Sequence, residues 1–426
     1  MMEELYRLFN ACDRRFTTDT RTISGGELFI ALKGEKFNAN TMAHHALERG
    51  AAYALVDEVH GREDPRLIVV GDVLQTFQEL ARYHRRQFNI PVLAVGGSNG
   101  KTTTKELLIS TLSEQFRVHA TAGNFNNHIG VPITLLQMPL DSEIAVIEIG
   151  TNAFGEIATL CAIVEPSHGV LTNIGKEHLE GFGDLEGVAR EESALFDYLN
   201  KHHGLSFVNN SDPILANMGK RLANRRTYGI DIPADDCFEL EAELPVVRLR
   251  EANTEFSSNL QGSHNAQNIA CTISICRTFG MDNTSIQHGL SRYVPSNNRS
   301  QLVQKGSNQI LLDAYNANPS SMLAALNTFD RIEELPKYVF LGDMFELGDV
   351  SEEEHLAIAK RAFELQHTHV YLVGDQFSKA ANQLGHKGYD QLEAVIMHLS
   401  HHPPSNAWIL IKGSRGMKME SLLESL

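Results

Sequence analysis

The chain has 426 residues, of which 42% are hydrophobic and 21% charged, and a net charge of −16. That length suggests roughly two to four domains. The acidic balance excludes a nucleic-acid surface, which needs a basic face, and no apolar run reaches the length of a membrane span. The five cysteines (Cys12, Cys161, Cys237, Cys271 and Cys276) are odd in number and hold no C-x-x-C pair, as expected of reduced thiols in a cytoplasmic protein. The opening MMEELYRLFN has neither a basic nor a long apolar region and is not expected to be an export signal.

In chain order, residues 1–88 carry short strand-like runs at 27–32 and 54–56, with a helix expected over 41–49 and closed by Gly50. Asn89, Ile90 and Pro91 mark a linker. Residues 89–297 alternate apolar strands with helices. Their β-branched runs at 92–96, 144–149 and 169–173 each end in a glycine-rich or polar loop, the pattern of buried parallel strands with ligands gathered at their carboxyl ends. Residues 225–260 are strand-like and irregular, and a helix is expected over 264–279, ended by Gly280. Residues 298–426 repeat the alternation, with strands at 310–313, 338–341, 370–373 and 408–411.

VLAVGGSNGKTTTK, residues 92–105, has the order strand, glycine-rich loop, helix of a phosphate cradle. The pattern G-x-x-x-x-G-K-[ST] would need glycine where Val95 stands, so the loop is shortened. Backbone N–H groups of Gly97, Ser98, Asn99, Gly100 and Lys101 are expected to face phosphate oxygens. Lys101 would reach the β- and γ-phosphates, the Thr102 hydroxyl would ligate Mg²⁺, and Thr103 completes the ATP-binding stretch. Glu148 ends a buried strand and is placed to hold Mg²⁺; His178 follows the next strand. The pairs His44-His45, His202-His203 and His401-His402 lack metal-site spacing and read as surface histidines. Glu352, Glu353 and Glu354 behind Ser351 read as a capped helix start.

GGSNGKTTTKEL (96–107), GNFNNHIGVP (123–132), VIEIGTN (146–152) and TNIGKEHLEGFG (172–183) together resemble the Mur ligase superfamily, whose loop reads TGTNGKT with glycine at the place of Gly97. SHNAQN (263–268), DAYNANPSSM (313–322), LGDMFELG (341–348) and IKGSRGMKME (411–420) resemble the branch that adds D-alanyl-D-alanine to UDP-N-acetylmuramoyl-tripeptide. TDTRTISGGELFIALKGEKFNANTM (18–42) is similar to its UDP-binding domain.

The resemblance implies an α/β fold of three domains: a small α/β UDP-sugar-binding domain over 1–88, a central P-loop-type ATPase domain with a parallel sheet over 89–297, and a C-terminal Rossmann-like domain over 298–426. It implies a cytoplasmic monomer that uses ATP and Mg²⁺ to activate a carboxylate as an acyl phosphate and join it to an amine. Lys101, Glu148 and His178 would be catalytic, and Thr102, Glu148 and His178 would hold magnesium. Asn126 and Asn127 would shape the loop near the reacting carboxylate, Asn265 and Asn268 would approach the adenine, and Arg299 would meet the nucleotide. Asp313, Tyr315, Asn316 and Asn318 would receive the dipeptide; Thr20, Arg21 and the segment 33–40, with Lys33 and Asn38, the nucleotide sugar.

Two departures stand out. Many relatives carry a carbamylated lysine where Glu192 stands, so Glu192 is expected either to supply a metal-binding carboxylate directly or to be an exposed helix acid. Asn38-Ala39-Asn40 replaces a segment that often reads Asp-Gly-His. Alternatives to the dipeptide ligase are another Mur-type or folylpolyglutamate-type ligase with a different acceptor, and an idle nucleotide-binding relative.

Overall fold

The computed structural model describes residues 1–426. The apolar runs become strands: Val92–Gly96 and Ile144–Glu148 are buried at every position, as parallel strands covered on both faces must be. Two compact units follow from the packing. One comprises residues 1–94, 117–150 and 156–167, the other 95–116, 151–155 and 168–426.

In the first unit, strands Phe16–Thr17, Leu28–Ile30, Tyr53–Val56 and Leu67–Val69 pair in parallel in that order. The expected helix over 41–49 is a 3₁₀ turn, Ala39–Met42, running into helix Ala43–Glu48. Its apolar face closes a small core with Phe29, Ala46, Ala54 and Val56. Further along, Val118–Ala120 pairs in parallel with Ile144–Glu148.

Helix Val73–Arg85 is capped by Asp72, whose carboxylate accepts the Gln75 N–H at 2.7 Å. Helix Met2–Ala11 packs on it through Phe9 and Tyr6, and the Tyr6 hydroxyl lies 3.0 Å from His84 Nδ1. His84 is completely buried, and that burial pushes its pKa down to about 4. The imidazole is therefore neutral in the fold. Between its ordinary value and about 4 the unfolded chain takes up a proton that the folded chain does not, so stability falls as pH falls through that window. Urea unfolding of the wild type and of His84→Gln should show the wild-type advantage shrinking by about 2 kcal/mol between pH 7 and pH 4.5. A constant difference across that range would refute the assignment.

In the second unit, strands His168–Leu171, Leu205–Asn209, Arg225–Ile230 and Asp236–Ala242 are parallel, and Arg248–Glu251 and Thr254–Ser257 add an antiparallel edge. This is the irregular 225–260 segment. Helix Ser263–Thr278, buried on nearly all sides, packs against helix Lys101–Leu112. A second sheet has the order Gln301–Lys305, Asn308–Asp313, Trp408–Lys412, Lys337–Gly342, Thr368–Val373; only its first pair is antiparallel. The four strands expected there are present. No helix is long and apolar enough to cross a membrane, and none of the five cysteines is paired.

Candidate active site

Strand Val92–Gly96 hands over to helix Lys101–Leu112 through four residues, and two of them must be glycine. Gly97 has φ +104°, and a Cβ there would lie 2.5 Å from Thr172 Oγ1; at Gly100, φ +84°, it would lie 2.7 Å from Asn268 Oδ1. Val95 lies inside the strand, fully buried, which is why the first glycine of the longer pattern has no counterpart.

The loop is held from below. Gly97 N–H donates to Glu192 Oε2 at 2.9 Å, Ser98 N–H to the Asn173 carbonyl at 2.9 Å, and Asn99 N–H to Asn173 Oδ1 at 3.1 Å. Thr172 Oγ1 and Asn173 Nδ2 both donate to the Asn99 carbonyl, at 2.6 and 2.9 Å. The N–H groups of Gly97, Ser98 and Asn99, expected to face phosphate, are thus engaged within the protein. The N–H groups that lack an intrahelical acceptor are those of the helix's first turn, from Gly100 through Lys101 and Thr102 to Thr103. Asn265 and Asn268 are buried beneath this turn, with Asn268 Nδ2 donating to Asn265 Oδ1 at 3.0 Å and Asn265 Nδ2 to the Gln261 carbonyl at 2.8 Å. They pack the loop's floor.

Lys101 Nζ lies 2.5 Å from the Gly97 carbonyl and 3.5 Å from Glu177 Oε2. Glu192 is fully buried, which rules out the exposed-acid reading. Burial, opposed by Lys101 and reinforced by Glu177, pushes its pKa up to about 8. Glu192 Oε1 and Glu177 Oε1 are buried without a hydrogen-bond partner. Two such oxygens beside a phosphate loop suit a hard cation. No three His, Cys, Asp or Glu side chains are grouped to enclose a metal by themselves, so a bound Mg²⁺ would draw further oxygens from nucleotide or water. His178 caps helix Leu179–Phe182 with φ +45°, and its Nδ1 lies 2.5 Å from Glu346 Oε2.

In the first unit, Glu148 is buried at its strand's end. Its Oε1 accepts Asn126 Nδ2 at 2.9 Å. Asn127 turns instead to helix Gly130–Leu136, its Oδ1 accepting the N–H groups of Ile129 and Gly130 at 3.1 and 2.9 Å. Lys33 pairs with Asp57 and Glu58, at 2.9 and 2.7 Å, and Asn38 Nδ2 donates to Glu58 at 2.8 Å. Asn40 is buried; its Nδ2 donates to Asn38 and Asp57, and its Oδ1 accepts the Asp57 N–H. Its side-chain polar atoms are thus engaged within the protein. Thr20 lies in the turn Thr20–Thr22, where Arg21 is exposed and paired with Asp19 at 2.7 Å. Asp57 and Glu58, the partners of Lys33 in this cluster, are marked by no local sequence pattern.

Back in the second unit, Asp313 accepts Lys412 Nζ at 2.5 Å and the Ser300 N–H at 3.1 Å. Burial would raise its pKa, but Lys412 outweighs burial and holds it below the ordinary value. Lys412 also donates to the Asn316 carbonyl at 3.3 Å. Tyr315, a candidate for stacking on a ligand, lies under Arg299, whose guanidinium is 3.6 Å from the ring centroid, with Arg415 on the ring at 5.2 Å. Asn318 caps helix Pro319–Asp330, and its Nδ2 donates to Asn99 Oδ1 at 2.9 Å, tying the phosphate loop to this face.

Comparison with known proteins gives two family matches: a Mur ligase middle domain over residues 95–276 and a Mur ligase, glutamate ligase domain over 298–415. The UDP-N-acetylmuramoyl-tripeptide--D-alanyl-D-alanine ligase of Bacillus subtilis is 34% identical, with 96% of this chain and 92% of that protein covered. The Escherichia coli protein of the same name is 33% identical, covering 96% and 93%. Among solved structures, MurF from Acinetobacter baumannii superposes with a TM-score of 0.89 at 30% identity, covering 99% of this chain and 97% of that one. MurF from Thermotoga maritima in complex with ADP gives 0.87 at 27%, covering 98% and 97%. With two domain models matched and a third of its residues shared along nearly its whole length, the chain belongs to the Mur ligase family.

Proposed function

We propose that the chain is an ATP-dependent carboxylate–amine ligase joining D-alanyl-D-alanine to the terminal carboxylate of UDP-N-acetylmuramoyl-tripeptide, a step of cytoplasmic peptidoglycan precursor synthesis carried out by a monomer. The observation that carries this reading is the phosphate loop, with glycine required at positions 97 and 100 and Lys101 at the helix N-terminus. The peptide carboxylate attacks the γ-phosphorus, the bond to the β–γ bridging oxygen breaks, and ADP leaves. The dipeptide amine, having lost its ammonium proton, then attacks the carbonyl carbon of the acyl phosphate. Phosphate departs with the C–O bonding pair and the amide nitrogen loses a proton.

Lys101 and the first-turn N–H groups hold the phosphoryl oxygens in line, work that is mostly positioning and electrostatics. Magnesium, when bound, neutralises charge on those oxygens. The residues proposed to hold it are Thr102, Glu148, His178 and Glu192; the unpartnered Glu192 Oε1 supports the fit. Arg299 meets the nucleotide. Asp313, Tyr315, Asn316 and Asn318 form the dipeptide face, and Thr20, Arg21, Lys33 and Asn38 the nucleotide-sugar site. The functional division is 1–88, 89–297 and 298–426.

The test is phosphate release from Mg·ATP with UDP-N-acetylmuramoyl-tripeptide and D-Ala-D-Ala supplied singly and together. Release that requires both is the expected result. Release driven by a different amino acid, or ATP binding without release under any combination, overturns the reading.

A further inference from the structure

We infer that Glu346 is the positioning residue for His178: it holds ring Nδ1 from the loop after strand Lys337–Gly342 and so presents Nε2 to a divalent cation beside Lys101. The inference rests on the metal reading proposed above.

Three observations triangulate the imidazole. Its Nδ1 is 2.5 Å from Glu346 Oε2. Its Nε2 is 3.8 Å from Glu177 Oε2, and that same oxygen is 3.5 Å from Lys101 Nζ. One nitrogen of the ring therefore faces Glu346 and the other Glu177, the carboxylate beside Lys101. A carboxylate on Nδ1 keeps the proton there and leaves the Nε2 lone pair for a metal.

The backbone supports the same reading. His178 and Glu346 have φ of +45° and +63°, a region that side-chain-bearing residues occupy only where their surroundings enforce it. Here the two meet each other. The residues before Glu346 are tied down: Met344 N–H donates to His355 Nε2 and Phe345 N–H to Ser414 Oγ, both at 2.9 Å. Glu180 N–H donates to the Glu346 carbonyl at 3.2 Å, and a Cβ on Gly348 would come within 3.2 Å of Glu180 Cα. Nearby, Lys176 N–H donates to Ser320 Oγ at 2.9 Å and its ammonium pairs with Glu354. The metal ligand His178 is thus aimed only while the 316–354 segment is seated on the 173–181 loop.

The experiment titrates Mn²⁺, as a stand-in for magnesium, into the full-length chain with ADP and reads free Mn²⁺ by electron paramagnetic resonance. Wild type, Glu346→Gln, His178→Asn and the double variant are compared. Glu346→Gln should weaken Mn²⁺ binding by about ten- to hundredfold and should add nothing in the His178→Asn background. Glu346→Gly removes the carboxylate while relieving the left-handed backbone, so it should lose the same affinity without a lower melting temperature. Unchanged affinity in Glu346→Gln, or an equal further loss when His178 is already absent, overturns the inference. A wild-type chain that binds ADP but no Mn²⁺ overturns the metal reading itself, so the two failures are distinguishable.

Discussion

Lys101→Met should retain its fold and lose turnover by at least about a hundredfold, because one preorganised charge aimed at developing negative charge in a water-poor site contributes that much or more. Methionine keeps the length of the side chain and its packing but removes the ammonium that reaches the Gly97 carbonyl and stands 3.5 Å from Glu177. The measurement is steady-state phosphate release with both substrates present, alongside circular dichroism as a check on folding. The loss should fall on kcat more than on KM, since the charge on the γ-phosphoryl oxygens and leaving oxygen shifts as the reaction proceeds. Turnover within tenfold of wild type would sink the assignment of Lys101.

The second large effect concerns stability. Lys412 is 2% exposed and neutralises Asp313, whose side chain is 22% exposed. Lys412→Met leaves that carboxylate in a mostly buried place without its partner. Breaking a buried pair from one side costs about 3–5 kcal/mol, and the partial exposure of Asp313 argues for the lower end, about 3 kcal/mol. Urea unfolding near neutral pH measures it. Adding Asp313→Asn to Lys412→Met removes the stranded charge and should restore most of the loss. A single variant less than about 1 kcal/mol below wild type would show that water already serves Asp313 well.

What the sequence made legible was contiguous. VLAVG and IAVIE are apolar runs too short for helices, and both are fully buried strands. The phosphate loop was legible because its chemistry lies in one stretch. Strand Gln301–Lys305 was not: in QLVQK only Leu302 and Val303 are apolar, flanked by polar residues and unburied on a sheet edge, so it lacks the continuous apolar signal of its neighbours. The couplings within the site were hidden for a different reason. Asp313 and Lys412 are 99 residues apart and meet because their strands are neighbours in the sheet. Glu346 and His178 meet through two loops with left-handed residues, and nothing local in FELG or KEHL announces the encounter. Glu192 read equally well as a surface acid, and burial decides it.

The phosphate loop's anchorage bears on how nucleotide would be captured. Ordering one backbone residue costs about 1–2 kcal/mol of conformational entropy, and a slack glycine-rich segment would have to lose that freedom when it closed on its ligand. Here Gly97, Ser98 and Asn99 are already fixed by Glu192 and Asn173, and glycine's extra freedom is forfeited during folding. The proposed cradle is a mould cast in advance, so affinity for a nucleotide's phosphates would be set by the shape and charge of that mould rather than by any tightening of the chain around them.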